Sequence, residues 1–176
     1  MYQTSNNKLH WGYYLLTAVW LTLTAVSAYY FVSKRLKPFD PNGLLANAKS
    51  EDVVKKLVSV HPLSGLAQKR VIHFTDPNCG CNKVPSEHKK DLDKVFEDQG
   101  FTIEIVEVSD SITSLIPATP SLVVLDKGEL VYMGPYSAGY SCSSNNSFVE
   151  VAMNNYSQGF NPNLIVSNVS GCFCQT

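Results

Sequence analysis

The sequence predicts an α/β sandwich built on a mixed sheet and preceded by one membrane-spanning helix. Three observations carry this. An uncharged apolar run fills residues 11–32. Two strand patterns with a helical pattern between them follow over residues 70–108, and a hairpin pattern with a final helical pattern follows over 121–156. A βαβ unit followed by an antiparallel ββα unit makes a mixed sheet covered by helices.

The run from Trp11 to Val32 is long enough to cross a bilayer core of about 30 Å as a helix. Trp11, Tyr13 and Tyr14 stand at one end, and Tyr29, Tyr30 and Phe31 at the other, as an aromatic belt at both interfaces requires. Lys34, Arg35 and Lys37 follow, and Pro38 and Pro41 end the helix. A cleaved signal peptide fits poorly, because the run is long and aromatic-rich and its basic residues come after it. The basic flank alone favours a cytoplasmic domain. Cysteine density favours an oxidising compartment, and the expectation is an extracytoplasmic domain.

The predicted organisation is a tail over 1–10, the anchor over 11–32, a linker over 33–49, a domain over 50–156 and a cysteine-containing tail over 157–176. Ser50 opens a short helix through residue 58. Arg70-Val71-Ile72-His73-Phe74 reads as a strand, broken by Asp76-Pro77-Asn78. A helix over 85–99 places Leu92, Val95 and Phe96 on one face, and Gly100 stops it. Residues 102–108 alternate as a strand does. Ile116-Pro117-Ala118-Thr119-Pro120 is a turn. Ser121 to Leu125 is a buried strand, joined by the hairpin turn Asp126-Lys127-Gly128-Glu129 to a partner from Leu130 to Met133. A last helix covers 146–156.

A net charge of −1, with 14 basic residues spread among 15 acids, excludes the clustered basic footprint of a nucleic-acid binder. The cysteine count is five, which is high and odd. Cys79 and Cys81 form one Cys-x-Cys pair, Cys172 and Cys174 another, and Cys142 stands alone; none has zinc-ribbon spacing.

The stretch Phe74-Thr75-Asp76-Pro77-Asn78-Cys79-Gly80-Cys81-Asn82-Lys83 resembles the strand-to-helix active-site turn of the thioredoxin-like superfamily. Thr119-Pro120 with Ser121-Leu122-Val123-Val124-Leu125-Asp126 resembles its cis-proline loop and next strand, and Lys127 to Tyr132 with Gly134 resembles its closing hairpin. The resemblance covers about residues 50–156 and is nearest to membrane-anchored bacterial proteins of that superfamily. It implies a single-pass protein of the inner membrane with a periplasmic thioredoxin-like domain, acting on a protein thiol or disulfide without a cofactor.

By that resemblance Cys79 is the nucleophile, with its thiol pKa lowered at a helix N-terminus. The family spacing places two residues between its cysteines, so Asn82 stands where the resolving cysteine belongs. Either Cys81 resolves Cys79 through a tight Cys-Gly-Cys ring, or a remote cysteine does, with Cys142 the candidate. His73 lies six residues before Cys79, where thioredoxins hold a buried acid, and is a candidate general base. Thr119, Pro120 and Gly134 take the substrate-binding positions, with Thr119 offering its backbone to an extended peptide.

Two other classes compete with a membrane-anchored oxidoreductase. One is a thiolate site for copper or zinc made from the two Cys-x-Cys pairs. The other is a catalytically silent thioredoxin-like interaction module, which Asn82 favours. For Cys172 and Cys174 the open readings are a relay, a metal site, a structural disulfide or an unordered tail.

Overall fold

A computed structural model describes residues 4–61, 68–83, 86–139 and 147–176. The chain divides into two units, Met1–Arg35 and Leu36–Thr176.

The first unit is helix α1 (Thr4–Arg35). It begins well inside the expected tail. Its Trp11–Lys34 stretch has a mean hydropathy of 1.6 and is long and apolar enough to cross a membrane. The hydroxyls of Thr17, Thr22 and Thr24 donate to the carbonyls of Tyr13, Ala18 and Trp20. Each polar side chain thus satisfies itself within its own helix, which suits an apolar solvent.

The second unit runs β1 (Lys37–Pro38), α2 (Ser50–Val60), β2 (Arg70–Thr75), a 3-10 turn (Gly80–Lys83), α3 (Ser86–Asp98), β3 (Thr102–Glu107), α4 (Asp110–Thr113), β4 (Ala118–Thr119), β5 (Ser121–Asp126), β6 (Glu129–Pro135), α5 (Phe148–Ser157), β7 (Leu164–Ile165), β8 (Ser170–Gly171) and β9 (Cys174–Gln175). The central sheet has the order β3-β2-β5-β6-β7. β2 lies parallel to β3 and antiparallel to β5, β5 is antiparallel to β6, and β6 is parallel to β7. The mixed sheet expected from the sequence is present.

Strand alternation divides the core. Ile72, Phe74, Val123, Leu125 and Met133 face α2 and α4, packing with Val53, Leu57 and Ile112. Val71, Leu122, Val124 and Val131 face α3 and α5, packing with Leu92, Phe96, Val149, Ala152 and Met153. Positive φ at Lys127 (50°) and Gly128 (82°) fits the two-residue hairpin turn between β5 and β6. Gly100, at φ 78°, ends the connection after α3. Ser147 caps α5, its hydroxyl accepting from the Glu150 N–H.

The structure differs from the predicted organisation at both ends of the domain. Residues 33–49 do not form a plain linker. Phe39 and Leu45 are buried in the core, and both carboxylate oxygens of Asp40 accept backbone N–H groups, from Leu44 and Leu45. Residues 157–176 are not a tail. β7 extends the central sheet, β8 pairs with β1, and β9 pairs with β4 inside the expected turn. Phe173 is buried, edge-on to Phe39 with ring centroids 5.3 Å apart. The apolar residues Phe39, Leu45 and Phe173 are the physical reason: each buries its side chain in the core and draws its segment with it.

Candidate functional site

The site begins where β2 ends. The Asp76 carboxylate accepts from the Asn78 N–H (2.9 Å), and its carbonyl accepts from the Cys79 N–H (2.9 Å). The Asn82 side-chain amide donates to the same carbonyl. This Asx-type turn presents Cys79 and Cys81 at the entry to the 3-10 turn. Asn82, at the expected resolving position, closes the turn instead.

The C-terminal segment lies against this turn. Cys79 is disulfide-bonded to Cys174, with Cα atoms 5.9 Å apart, and Cys81 to Cys172, with Cα atoms 5.6 Å apart. Both spacings lie within the ordinary range for the bond. The two tripeptides Cys79-Gly80-Cys81 and Cys172-Phe173-Cys174 are thus cross-linked head to tail. The Cys79–Cys81 ring considered from the sequence is not formed, because each sulfur has a partner on the other tripeptide. The sulfurs of Cys79, Cys81 and Cys174 all lie within 4.8 Å of one another. Cys79 is buried, whereas Cys81, Cys172 and Cys174 are half-buried.

The same segment engages the residues expected to bind substrate. The Thr119–Pro120 peptide bond is cis. Thr119 pairs with Cys174 and Ala118 with Gln175 in the antiparallel β4–β9 ladder. The Cys79 sulfur lies 3.8 Å from the Thr119 carbonyl oxygen, where a reduced thiol would have an acceptor. The family described as a domain of unknown function (DUF6436) matches residues 48–176. The chain belongs to that family.

The DUF6436 match includes both Cys-x-Cys pairs and reaches through β9. No curated protein matches the chain. A crystal structure of a hypothetical protein from Sinorhizobium meliloti 1021 aligns with a TM-score of 0.45 and 12% sequence identity, over 62% of this chain and 79% of that one.

Within the DUF6436 domain, His73 is fully buried and does not turn its nitrogens to a sulfur. Its Nδ1 is hydrogen-bonded to the Tyr136 hydroxyl, and the two rings stack at 5.7 Å and 7°. Its Nε2 lies 3.0 Å from Asp93 Oδ1, at ion-pair distance but out of hydrogen-bond alignment. Lys89 holds the other Asp93 oxygen at 2.5 Å. Burial, then the positive charge of Lys89, pushes the His73 pKa from 6.5 down to about 4, against the opposing pull of Asp93. The ring is therefore neutral at pH 7. A ring lone pair facing the Asp93 carboxylate at 3.0 Å would be repelled, which favours the neutral tautomer with its proton on Nε2 and with Nδ1 accepting from Tyr136. Burial holds the Tyr136 hydroxyl protonated, its pKa raised far above the usual tyrosine range, which suits the donor role. The expected general base thus joins a buried link between β2, α3 and the end of β6.

Gly134 has a packing reason for being glycine. A Cβ there would meet the Tyr132 hydroxyl and the Val166 Cβ, each at 2.9 Å, and φ is 154°. Cys142 lies outside the described residues. Sequence reasoning joined Cys172 and Cys174 to Cys79 and Cys81 in the metal-site reading and left a disulfide partner for them open, so the two pairings themselves were missed. The signal available was a second Cys-x-Cys pair flanking an apolar residue, Phe173.

Proposed function

We propose that this chain is a thioredoxin-like thiol–disulfide oxidoreductase, held at a bacterial inner membrane by α1 with its DUF6436 domain in the periplasm. Two disulfides on one turn support an oxidising compartment, and the apolar length of α1 supports the tether. The sheet order and the cysteines directly after β2 support the thioredoxin-like reading. The observation that carries the proposal is the position of Cys174. It is bonded to Cys79 while its backbone pairs with Thr119, as an extended cysteine-containing peptide would be in a mixed disulfide.

In this reading Cys79 is the nucleophile and Cys174, not Cys81, resolves it. The Cys79 thiolate attacks one sulfur of a substrate disulfide, forms a Cys79–substrate disulfide and expels a substrate thiolate, which takes a proton. The Cys174 thiolate then attacks the Cys79 sulfur. The Cys79–Cys174 disulfide forms and the second substrate thiol leaves. The substrate gains two electrons and two protons, and the protein loses them. The steps are reversible, and the partner's potential sets the direction.

Trapping tests this on the full chain in detergent. Cys174→Ala, incubated with a disulfide-bonded peptide under mild reduction, is expected to accumulate a mixed disulfide on Cys79. Adding Cys79→Ser should abolish the adduct. If Cys174→Ala gains no adduct above the parent chain while retaining its fold, Cys79 is not an exchange nucleophile.

A further inference from the structure

We propose that the reduced domain binds one monovalent copper ion between the thiolates of Cys79, Cys81 and Cys174. The inference rests on sulfur geometry and does not require the oxidoreductase reading.

Three sulfurs from two segments far apart in the chain lie within 4.8 Å of one another. Metal–sulfur bonds of about 2.3 Å around a trigonal ion put three sulfurs about 4 Å apart. The disulfide-bonded Cys79 and Cys174 sulfurs must therefore part by about 2 Å on reduction, a side-chain movement that does not require the β4–β9 pairing to break. The donors in this group are cysteine sulfurs alone. Such a set favours a soft ion over magnesium or calcium. Zinc prefers four ligands, and the Cys172 sulfur, although bonded to Cys81 at 2.03 Å, does not lie within 4.8 Å of all three others. Monovalent copper is the soft ion suited to three thiolates, and the reducing conditions that expose the thiols also preserve it.

Contacts independent of the disulfides hold the C-terminal segment in place. β8 pairs with β1 and β9 with β4. Phe173 remains buried beside Phe39. The Gln175 amide donates to the Pro38 carbonyl (2.7 Å), and the Thr176 hydroxyl donates to the Ile116 carbonyl (2.5 Å). Cutting the disulfides therefore leaves the sulfurs gathered, and this preorganisation separates a site from a set of loose cysteines.

The chemistry balances. The two disulfides take four electrons from a phosphine reductant, which leaves as its oxide with oxygen from water, and water supplies the four protons that give four thiols. Copper binding then displaces three thiol protons. No sulfur is oxidised, and the ion stays monovalent.

The test uses the full chain in detergent, in a Cys142→Ser background, reduced with a phosphine and kept anaerobic. Monovalent copper is titrated against a chromogenic chelator, and X-ray absorption counts the sulfurs. The expected result is one ion per chain with three sulfurs, bound about 100-fold more tightly than by the same reduced chain unfolded in urea. Cys79→Ser, Cys81→Ser and Cys174→Ser should each lower the sulfur count to two. Equal affinity of the folded and unfolded chains overturns the proposal, as does a four-sulfur site or displacement of the copper by equimolar zinc. If a serine variant does not fold, the folded-against-unfolded comparison on the parent chain decides.

Discussion

Thr119 and Cys174 face each other across an antiparallel ladder, and the sulfur of Cys174 is bonded to Cys79, whose own sulfur lies 3.8 Å from the Thr119 carbonyl. One residue near the C-terminal end is thus tied to the site through its backbone and through its side chain. Each tie holds the other in register.

The covalent ties can be removed with little other change. Replacing all four of Cys79, Cys81, Cys172 and Cys174 by Ala, which removes both cross-links, should lower stability by about 2–4 kcal/mol, because together the bonds close a long loop in the unfolded chain. The sequence separations are 95 and 91 residues. Denaturant unfolding of the domain without reductant measures the loss, and the midpoint of the parent chain should fall toward that of the variant when reductant is added.

Gly171→Ala tests the packing beneath the cross-links. A Cβ at this position would meet the Phe173 ring at 2.7 Å and the Gly139 carbonyl at 3.1 Å. Both neighbours are held, the ring by the core and the carbonyl by backbone. Overpacking of this kind costs about 1–3 kcal/mol. The variant should unfold at lower denaturant, and both disulfides should reduce faster, as read by timed thiol alkylation.

The buried imidazole gives a pH dependence with a definite sign. His73 is neutral in the fold, with its pKa at about 4 against 6.5 for the unfolded residue. Between these values the unfolded chain binds more protons, so stability falls as pH drops from 6.5 toward 4 and is fully present above 6.5. His73→Asn should be less stable at pH 7, and its stability should change less across that window. An unaltered slope would show that other groups set the acid response.

Tyr136→Phe separates architecture from chemistry. It leaves the stacked rings and removes the hydroxyl that donates to His73 Nδ1. A buried acceptor left without its donor costs about 1–3 kcal/mol. The thermal midpoint should drop, while formation of the Cys79 adduct in the Cys174→Ala background should remain. Loss of the adduct with the fold intact would return His73 and Tyr136 to the exchange chemistry.

The parts legible in the sequence are those with a period or a defined turn residue. Val71 and Ile72 to opposite faces, the Lys127-Gly128 hairpin and the stop at Gly100 all follow from local rules. Lys37–Pro38, Leu164–Ile165, Ser170–Gly171 and Cys174–Gln175 are two-residue strands, too short to carry a period. Pairings of cysteines 95 and 91 residues apart are likewise invisible to spacing. For His73, a place in a strand buried on both faces accounts for burial, but its partners Asp93 and Tyr136 come from other elements. Proximity to Cys79 in sequence pointed to a thiol, while the strand turned the ring toward α3.

The two head-to-tail cross-links close Cys79-Gly80-Cys81 and Cys172-Phe173-Cys174 into a single ring. Opening either bond leaves the segments joined through the other. Covalent detachment therefore behaves as a logical AND: a two-electron event changes which thiols are present but not what is tethered, and only a second such event cuts the last link. A readout of detachment should lag behind a readout of thiol content and then rise steeply, which would make this turn a threshold detector of reducing power.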